Sequence, residues 1–420
     1  MLGLDFGTTN SAIAVARPGE PPRLARFGDG APTFRSILHV DPEEPDEGGL
    51  PPRITAGASA IRTWVETGGR GRLVQSIKSH LASRLFTTTN LFGRRYRLED
   101  LIAIVLRELG RAAEAQLGVA LADTPVVVGR PVRFAAARDA DDEAFALGRL
   151  ETALCQAGFG PVTFELEPVA AAWGYRERLD RDELVLIGDF GGGTSDFTLM
   201  RLGPAATTIL GVDGVARAGD AFDARLIRRV AAPGLGLDSL RRTAFGQELP
   251  VPGWLFDRVE RWEQLSFLKS RETTELLRRL RAEALEPEKI AALVHLIDDD
   301  LGFALHGAVE ATKQTLSRDA AAPFRFADGP IALAGPVARA DFEAWIAPEL
   351  DRTAACVDGL LARSGVAPGD VATVFLTGGS SFVPAVRRVF AGRFGAERLR
   401  GGDELTTVAT GLALRARGAA

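Results

Sequence analysis

Short apolar runs and longer segments with helical spacing alternate along this chain of 420 residues. The N-terminal segment starts at once with an apolar run, which is followed by a small-residue turn and a second apolar run at residues 12–16, a pattern that predicts a β-hairpin. Apolar positions predict a helix over residues 98–117, a buried strand over 124–129 and a long helix over about 135–157. Strands that alternate with helices indicate the α/β class.

The chain contains an internal repeat. The segment Leu4-Asp5-Phe6-Gly7-Thr8-Thr9-Asn10-Ser11 is echoed by Gly188-Asp189-Phe190-Gly191-Gly192-Gly193-Thr194-Ser195. Each copy joins an apolar strand to a small-residue turn and a second strand, and the length of the chain exceeds what one hydrophobic core usually supports. The repeat therefore predicts two lobes of one plan, residues 1–184 and 185–420.

The pattern changes between about residues 224 and 317, where long, charged helices replace the strands. Continuous helices are predicted over residues 254–285 and 287–317, and Pro287 suits the start of the second one. This region is predicted to be a helical insertion in the second lobe. The acidic segment 41–52, rich in Pro and Gly, is typical of a surface loop.

The net charge and the composition limit the classes of partner that we expect for this chain. The net charge of −5 gives no electrostatic reason to expect nucleic acid or anionic lipid, and no apolar run is long enough for a membrane span. We therefore expect small-molecule or protein partners, with no nucleic acid and no membrane. The two cysteines, Cys155 and Cys356, predict buried core thiols and favour a cytoplasmic location.

The two repeated turns carry the candidate chemistry. Binding a phosphate requires several backbone N–H donors at one place, and small residues such as Gly7-Thr8-Thr9 and Gly191-Gly192-Gly193-Thr194 let the main chain approach it closely. Asp5 and Asp189 precede the turns at strand ends, where carboxylates can hold hydrated Mg²⁺. Two matched copies, each led by an aspartate, favour phosphate binding over chain reversal or turn capping.

With these motifs, residues 3–11 and 187–196 resemble the two phosphate motifs of the heat-shock-protein-70 branch of the actin and sugar-kinase superfamily. Three further segments match in the same order: Glu167-Pro168-Val169-Ala170-Ala171-Ala172-Trp173-Gly174-Tyr175, Glu310-Ala311-Thr312-Lys313-Gln314-Thr315-Leu316-Ser317 and Gly378-Gly379-Ser380-Ser381-Phe382-Val383-Pro384. The resemblance implies two actin-like, ribonuclease-H-like lobes with ATP in the cleft between them. It also implies that the C-terminal helix can return to the first lobe.

The resemblance also implies roles for individual residues. Lys78 matches the catalytic lysine and Glu167 the active-site glutamate, and Asp5, Asp189 and Thr194 complete the catalytic set, with Mg²⁺ held by the two aspartates through water. The implied contacts to ATP or ADP come from the phosphate residues Gly7, Thr8, Thr9, Asn10, Gly191, Gly192, Gly193 and Thr194, from the nucleoside helix residues Glu310, Lys313, Gln314 and Ser317, and from Gly378, Gly379, Ser380 and Phe382 of the adenosine motif.

Two departures from the family pattern stand out. Gln314 and Phe382 occupy the positions of two arginines that stack on adenine, although an aromatic ring can also stack on a base. The chain ends at Ala420 without an interdomain linker or a peptide-binding β-sandwich, so we expect no peptide-binding domain. The tract from residue 262 to 317 is similar to a short, divergent bacterial branch, the YegD-like proteins.

The resemblance thus implies a slow ATPase that converts ATP and water to ADP and phosphate, with a chaperone-like or regulatory role and a protein client or regulatory protein as partner. Two alternatives remain open. An actin-like filament-forming ATPase shares both phosphate loops, but the large helical insertion argues against it. A small-molecule kinase of the same superfamily needs an acceptor base, and the sequence shows no obvious sugar-site pattern.

Overall fold

The computed structural model describes residues 1–42, 52–67, 70–176, 179–204, 206–215, 219–261, 268–299, 301–401 and 406–418. The chain forms two compact units. Unit 1 comprises Met1–Ala216, Ala354–Ser381 and Arg387–Ala420, and unit 2 comprises Arg217–Thr353 and Phe382–Val386. Both copies of the internal repeat lie in unit 1. The predicted lobe boundary after residue 184 stays a prediction.

The elements of both units follow in chain order. The strands are β1 (Leu2–Asp5), β2 (Asn10–Val15), β3 (Arg23–Leu24), β4 (Phe34–Arg35), β5 (Ile37–Asp41), β6 (Arg53–Ala56), β7 (Arg72–Gln75), β8 (Thr88–Leu91), β9 (Arg94–Arg97), β10 (Val126–Arg130), β11 (Val162–Leu166), β12 (Glu183–Phe190), β13 (Ser195–Leu202), β14 (Thr207–Val215), β15 (Leu240–Arg242), β16 (Glu248–Pro250), β17 (Ala321–Asp328), β18 (Ile331–Ala338), β19 (Thr373–Thr377) and β20 (Leu399–Arg400). The α-helices are α1 (Ala58–Glu66), α2 (Leu98–Leu117), α3 (Ala140–Gln156), α4 (Glu167–Arg176), α5 (Gly219–Leu226), α6 (Trp254–Val259), α7 (Arg271–Glu283), α8 (Pro287–Asp298), α9 (Gly302–Arg318), α10 (Arg339–Trp345), α11 (Ala347–Arg363), α12 (Pro384–Phe394) and α13 (Thr407–Gly418).

Unit 1 contains two mixed sheets of the same plan. The first has the order β11-β10-β1-β2-β3, with β4 paired to β2, and the second has the order β14-β13-β12-β19-β20. In each sheet the repeat forms an antiparallel hairpin, β1 with β2 and β12 with β13. The first strand of each hairpin also pairs in parallel with a strand from later in the chain. The predicted α/β class and the two repeated hairpins are confirmed.

Helix α4 connects the two sheets of unit 1. Its residues Val169 and Ala172 pack on β12 and β13, while Ala170 and Ala171 pack with β10 and α13. Helix α13 in turn lies on β1 and β2, where a Cβ atom added to Gly3 would come 2.2 Å from the backbone nitrogen of Ala413. Glu167, the first residue of α4, is therefore fixed by the packing of both sheets.

Unit 2 contains helices α5 to α10 and the two hairpins β15–β16 and β17–β18. Three helix predictions differ from the structure, two within the predicted helical insertion and one before it. The helix predicted over residues 254–285 is divided into α6 and α7, and α7 starts where the Ser270 side chain accepts a hydrogen bond from the Thr273 N–H. The helix predicted over 287–317 is two helices, α8 and α9. The helix predicted from residue 135 begins only at Ala140, because Ala136 has a φ of 66° that a right-handed helix excludes.

The two cysteines differ from the prediction of buried core thiols. Cys155 is exposed rather than buried, because α3 turns it away from the core side, and Cys356 is half-buried. Residues 43–51, most of the predicted acidic loop, lie outside the described residues. None of the helices formed by the described residues combines the length and apolar character needed to cross a membrane.

Candidate active site

The second repeated turn brings two carboxylates side by side. Asp189 and Asp196 are direct partners in the antiparallel register of β12 and β13. The turn between them is closed by the Gly191 N–H, which donates to the Thr194 carbonyl oxygen at 3.0 Å. The Thr194 hydroxyl donates to Asp196 Oδ2 at 2.8 Å. The predicted phosphate turn is thus flanked by acidic side chains on both of its strands.

The first repeated turn is tighter. Asp5 ends β1, and a Cβ atom added to Gly7 would come 2.0 Å from the Asn10 carbonyl oxygen, so only glycine fits there. The Gly7 N–H donates to the Ser11 hydroxyl at 3.1 Å. Thr8 is half-buried and Thr9 is exposed, which leaves this turn accessible to a ligand.

Lys78 and Glu167 form a buried ion pair. Lys78 lies in a 3₁₀ turn, Ile77–His80, that follows Ser76 in a left-handed conformation with φ of 55°. Its Nζ atom donates to Glu167 Oε1 at 2.8 Å, and both side chains are buried. The two predicted catalytic residues, far apart in sequence, therefore meet in unit 1.

Arg149 of α3 holds the segment that carries Lys78. Its guanidinium donates to the carbonyl oxygens of His80, Leu81, Ser83 and Phe86 at distances of 3.1–3.4 Å. Its Nε atom donates to Glu99 Oε1 of α2 at 2.6 Å. The Arg149 side chain is itself buried. One buried cation thus ties four carbonyl groups of the Lys78 turn and its continuation to the two helices beneath them.

Three aspartates near Lys78 have raised pKa values. Burial, and then the negative charge of Glu167, raise the pKa of Asp5 to about 8. Burial and Glu167 also raise the pKa of Asp189 to about 6, and burial with the charge of Asp189 raises the pKa of Asp196 to about 7. Burial lowers the pKa of Lys78, but Glu167 and Asp5 outweigh burial and the net pKa is raised. Four carboxyl groups thus surround one ammonium group, an arrangement that favours an additional cation.

The donor set suits Mg²⁺, which prefers carboxylate oxygens and keeps several of its waters. Asp5 and Asp189 are the residues that would hold it, and its charge would offset the burial and the repulsion that raise their pKa values. Among the described residues, no group of three or more His, Cys, Asp or Glu side chains is arranged to ligate a metal directly. The prediction concerned contacts through water and stays a prediction.

The predicted adenosine motif begins next to the second phosphate turn. Thr377 ends β19, and its hydroxyl donates to Asp189 Oδ1 at 2.9 Å. Gly378 has a φ of 81°, and a Cβ atom there would come 2.2 Å from the Phe190 carbonyl oxygen. Ser380 is buried, whereas Gly379 has open space beside its Cα. Only glycine allows the main chain to pass this close to β12 at residue 378.

The predicted nucleoside helix, α9, belongs to unit 2. Lys313 Nζ donates to Asp223 Oδ2 at 2.7 Å, and Gln314 Nε2 donates to Glu310 Oε1 at 3.4 Å. The Ser317 hydroxyl donates to the Lys313 carbonyl oxygen at 3.0 Å. The four predicted residues share one face of the helix, and Asp223 of α5 fixes the lysine.

Phe382 has 47% of its surface exposed. A ring that belonged to the hydrophobic core would be almost fully covered, so the Phe382 side chain lies outside the core. The exposed ring remains free to contact a ligand, and stacking on adenine stays a prediction.

Three polar residues at these sites were missed by the sequence analysis. Asp196 was hidden because the first repeat copy has Ala12 in the corresponding region, although an aspartate within an otherwise apolar strand was a usable signal. Thr377 and Asp223 act through contacts with Asp189 and Lys313 that are remote in sequence, and no local pattern could have indicated them.

The family comparison agrees with these motifs. The model of the Hsp70 family, described as "Hsp70 protein", matches residues 67–233 and 296–418, which is more than half of the chain. Lys78, Glu167 and Asp189 lie within the first matched segment, and the 310–317 and 378–382 motifs lie within the second. The first phosphate turn precedes the match, and the gap between the segments falls in the predicted helical insertion. The chain belongs to the Hsp70 family.

Proposed function

We propose that this chain binds ATP with Mg²⁺ and slowly hydrolyses it to ADP and phosphate in a chaperone-like or regulatory role. Membership in the Hsp70 family implies an ATP-binding ATPase of the Hsp70 type. The observation that carries the proposal for this chain is the buried Lys78–Glu167 pair beside Asp5, Asp189 and the two glycine turns. A lysine on a solvated surface would be neither buried nor paired with a buried glutamate.

In the proposed mechanism the chain's own residues bind and orient the reactants. The N–H groups of Thr8, Thr9 and residues 192–194 donate to the phosphates of ATP, while the Gly191 N–H closes the turn on Thr194. Lys78 stabilises the charge that develops on the γ-phosphate, and Glu167 orients the attacking water. Mg²⁺, when bound, neutralises phosphate charge. The bond to Glu167 holds the Lys78 side chain in place and favours its charged form.

The nucleoside part of the proposal rests on α9 and the 378–382 motif. Lys313, fixed by Asp223, would contact the ribose together with Glu310 and Ser317. Gln314 and Phe382 would face adenine in place of two arginines. The same proposal includes ATP in a cleft between two actin-like lobes, a cytoplasmic location, a client or regulatory protein as partner, and membership in the YegD-like branch.

The test uses the purified chain. Titration calorimetry should detect ATP binding that Mg²⁺ strengthens, and a single-turnover assay should detect ADP and phosphate in equal amounts without any added acceptor. Absence of ATP binding at millimolar concentration would refute the proposal. ADP release that requires an added acceptor would instead support a kinase, and ATP-dependent pelleting would support a filament-forming ATPase.

The cellular role needs a separate experiment. Affinity capture from lysate with and without ATP should recover a protein whose binding changes with nucleotide. Unfolded proteins in the captured fraction would support a chaperone-like role, and a single folded protein would support a regulatory one.

A further inference from the structure

Thr198 carries a buried hydroxyl group that the proposed mechanism does not use. It lies on β13, two residues after Asp196, with 1% of its surface exposed. Its Oγ1 atom has no hydrogen-bond partner among the described residues. Buried hydroxyl groups in native proteins almost always bond to protein or to ordered water, because an unpaired one is unfavourable. The strand places this hydroxyl on the same face as the Asp196 carboxylate.

A small cavity of about 10 Å³ lies beside this hydroxyl. Thr198, Glu167, Asp189 and Asp196 line it together with Pro131, Val132 and Pro168. This volume is about what one water molecule requires, and a water in such a place needs two to four polar partners. A purely apolar cavity would stay dry, whereas this one is lined by three carboxylates.

The carboxylates that line the cavity have spare acceptor capacity. Thr194 engages Asp196 Oδ2, Lys78 engages Glu167 Oε1 and Thr377 engages Asp189 Oδ1. A carboxylate has two oxygens and about four acceptor sites, so one such bond leaves the group able to accept others. A water molecule can donate to two carboxylates and accept from one hydroxyl, which is the set of partners that the cavity offers.

We propose that Thr198 anchors one internal water molecule in this cavity and that the water, bonded to the carboxylates of Glu167 and Asp196, fixes Glu167 for hydrolysis. Thr198 is then a positioning residue, since it acts through the water and not on ATP. The effect on hydrolysis rests on the proposed function, whereas the water site does not depend on it.

The water site is tested by crystal structures of nucleotide-free wild type, Thr198→Val and Thr198→Ser at a resolution that shows ordered water. Valine has nearly the shape of threonine but no hydroxyl, so it changes the bonding and little else. We expect a water within about 3 Å of Oγ in wild type and in the serine variant, and none in the valine variant. A dry cavity in wild type, or a water that persists unchanged in Thr198→Val, would overturn the proposal.

The positioning role is tested by ATP hydrolysis. Thr198→Val should lower kcat about tenfold and leave KM for ATP unchanged, and Thr198→Ser should recover most of the rate. Thr207→Val on β14 is the matched control, since Thr207 Oγ1 is also buried without a hydrogen-bond partner in the described part of the chain, and Thr207 does not line this cavity. An unaltered kcat in Thr198→Val would overturn the positioning role. If wild type binds ATP without hydrolysing it, the proposed function fails, and the crystal structures still decide the water site.

Discussion

Lys78 and Glu167 are both buried, and each offsets most of the cost of burying the charge of the other. Removing one partner of a buried ion pair leaves the other as an unpaired buried charge, which typically costs about 3–5 kcal/mol of stability. A substitution of either residue therefore changes folding and chemistry together. Experiments on this pair need a stability measurement beside the kinetic one.

Lys78→Ala should leave ATP affinity within about tenfold of wild type and lower the hydrolysis rate by about two orders of magnitude. The reason is the loss of one charge contact that the transition state uses more than the ground state does. Single-turnover hydrolysis on the folded fraction, judged by thermal melting, measures the effect. Lys289→Ala is the control, because Lys289 lies on α8 in unit 2 and pairs with Glu286, the residue before that helix. An unchanged rate in Lys78→Ala would remove the lysine from the mechanism.

Asp189→Asn should weaken ATP binding in the presence of Mg²⁺ more than binding without Mg²⁺. The carboxylate would act through the water shell of the ion, and asparagine has the same shape without the charge. Titration calorimetry with and without Mg²⁺ separates the two conditions. Equal losses in both would mean that Asp189 supports the turn through its bond from Thr377 instead.

At the scale of elements, the hairpins were easier to predict than the helices. The two repeat copies carry their own turn residues, so local sequence determines where each hairpin bends. The helical insertion lacks such signals, and its apolar spacing continues across the breaks between α6 and α7 and between α8 and α9. The start of α7 depends on a local bond, the Ser270 cap, which the apolar pattern does not contain.

Arg149→Met should destabilise the protein by about 3–5 kcal/mol, because it leaves Glu99 without its partner and frees four carbonyl groups in the Lys78 segment. Denaturant unfolding measures this loss. Arg84→Ala is the matched control on the same segment. Arg84 pairs with Asp142 but is largely exposed, so its removal should cost no more than about 1 kcal/mol. Similar losses of stability in both variants would contradict the role of Arg149 in holding the Lys78 segment.

Phe382→Ala should weaken ATP binding about fivefold to a hundredfold with little change in the hydrolysis step or in the melting temperature. Stacking of an aromatic ring on a base contributes roughly 1–3 kcal/mol, and the exposed ring contributes little to the core. Phe382→Arg should restore part of the affinity. A large fall in melting temperature with unaltered affinity would contradict the stacking role.

At the scale of the whole molecule, the raised carboxyl pKa values make stability depend on pH. In the folded protein the carboxyl groups of Asp5 and Asp196 have pKa values of about 8 and about 7, against an ordinary pKa of 3.8. Between these values the folded protein keeps protons that the unfolded chain has released. Folding therefore binds protons, and stability falls as pH rises through this range. Burial lowers the pKa of His306 to about 4, so between this value and pH 6.5 the unfolded chain binds a proton that the folded protein does not. His306 therefore makes stability rise with pH, but only below pH 6.5.

We therefore expect the melting temperature of the nucleotide-free protein, in a chelator, to fall between pH 6.5 and pH 8.5. Asp5→Asn should flatten that fall, because asparagine has no proton to release. Scanning calorimetry at several pH values measures both proteins. A wild-type melting temperature that is flat or rises over this window would contradict the raised pKa values. Mg²⁺ with ATP should stabilise wild type more at pH 8.5 than at pH 6.5.

The sequence indicated the chemistry of the site more completely than its geometry. The two turns, Asp5 and Asp189 were visible as a repeat, and Lys78 and Glu167 were visible through resemblance. That Lys78 Nζ lies 2.8 Å from Glu167 Oε1 was not predictable, because the contact depends on how a 3₁₀ turn and α4 pack in three dimensions. The role of Arg149 was invisible for the same reason, since its partners are backbone carbonyls that carry no sequence signal.

The packing of α13 on β1 has a consequence for biosynthesis. β1 is synthesised long before α13, the helix that covers the face carrying Gly3. Contacts so distant in sequence form slowly, because a long loop must close first. Until then the alanine-lined face of β2 lies exposed in the nascent chain, open to wrong partners. The first sheet thus stays incomplete, and in need of protection, until α13 has been synthesised.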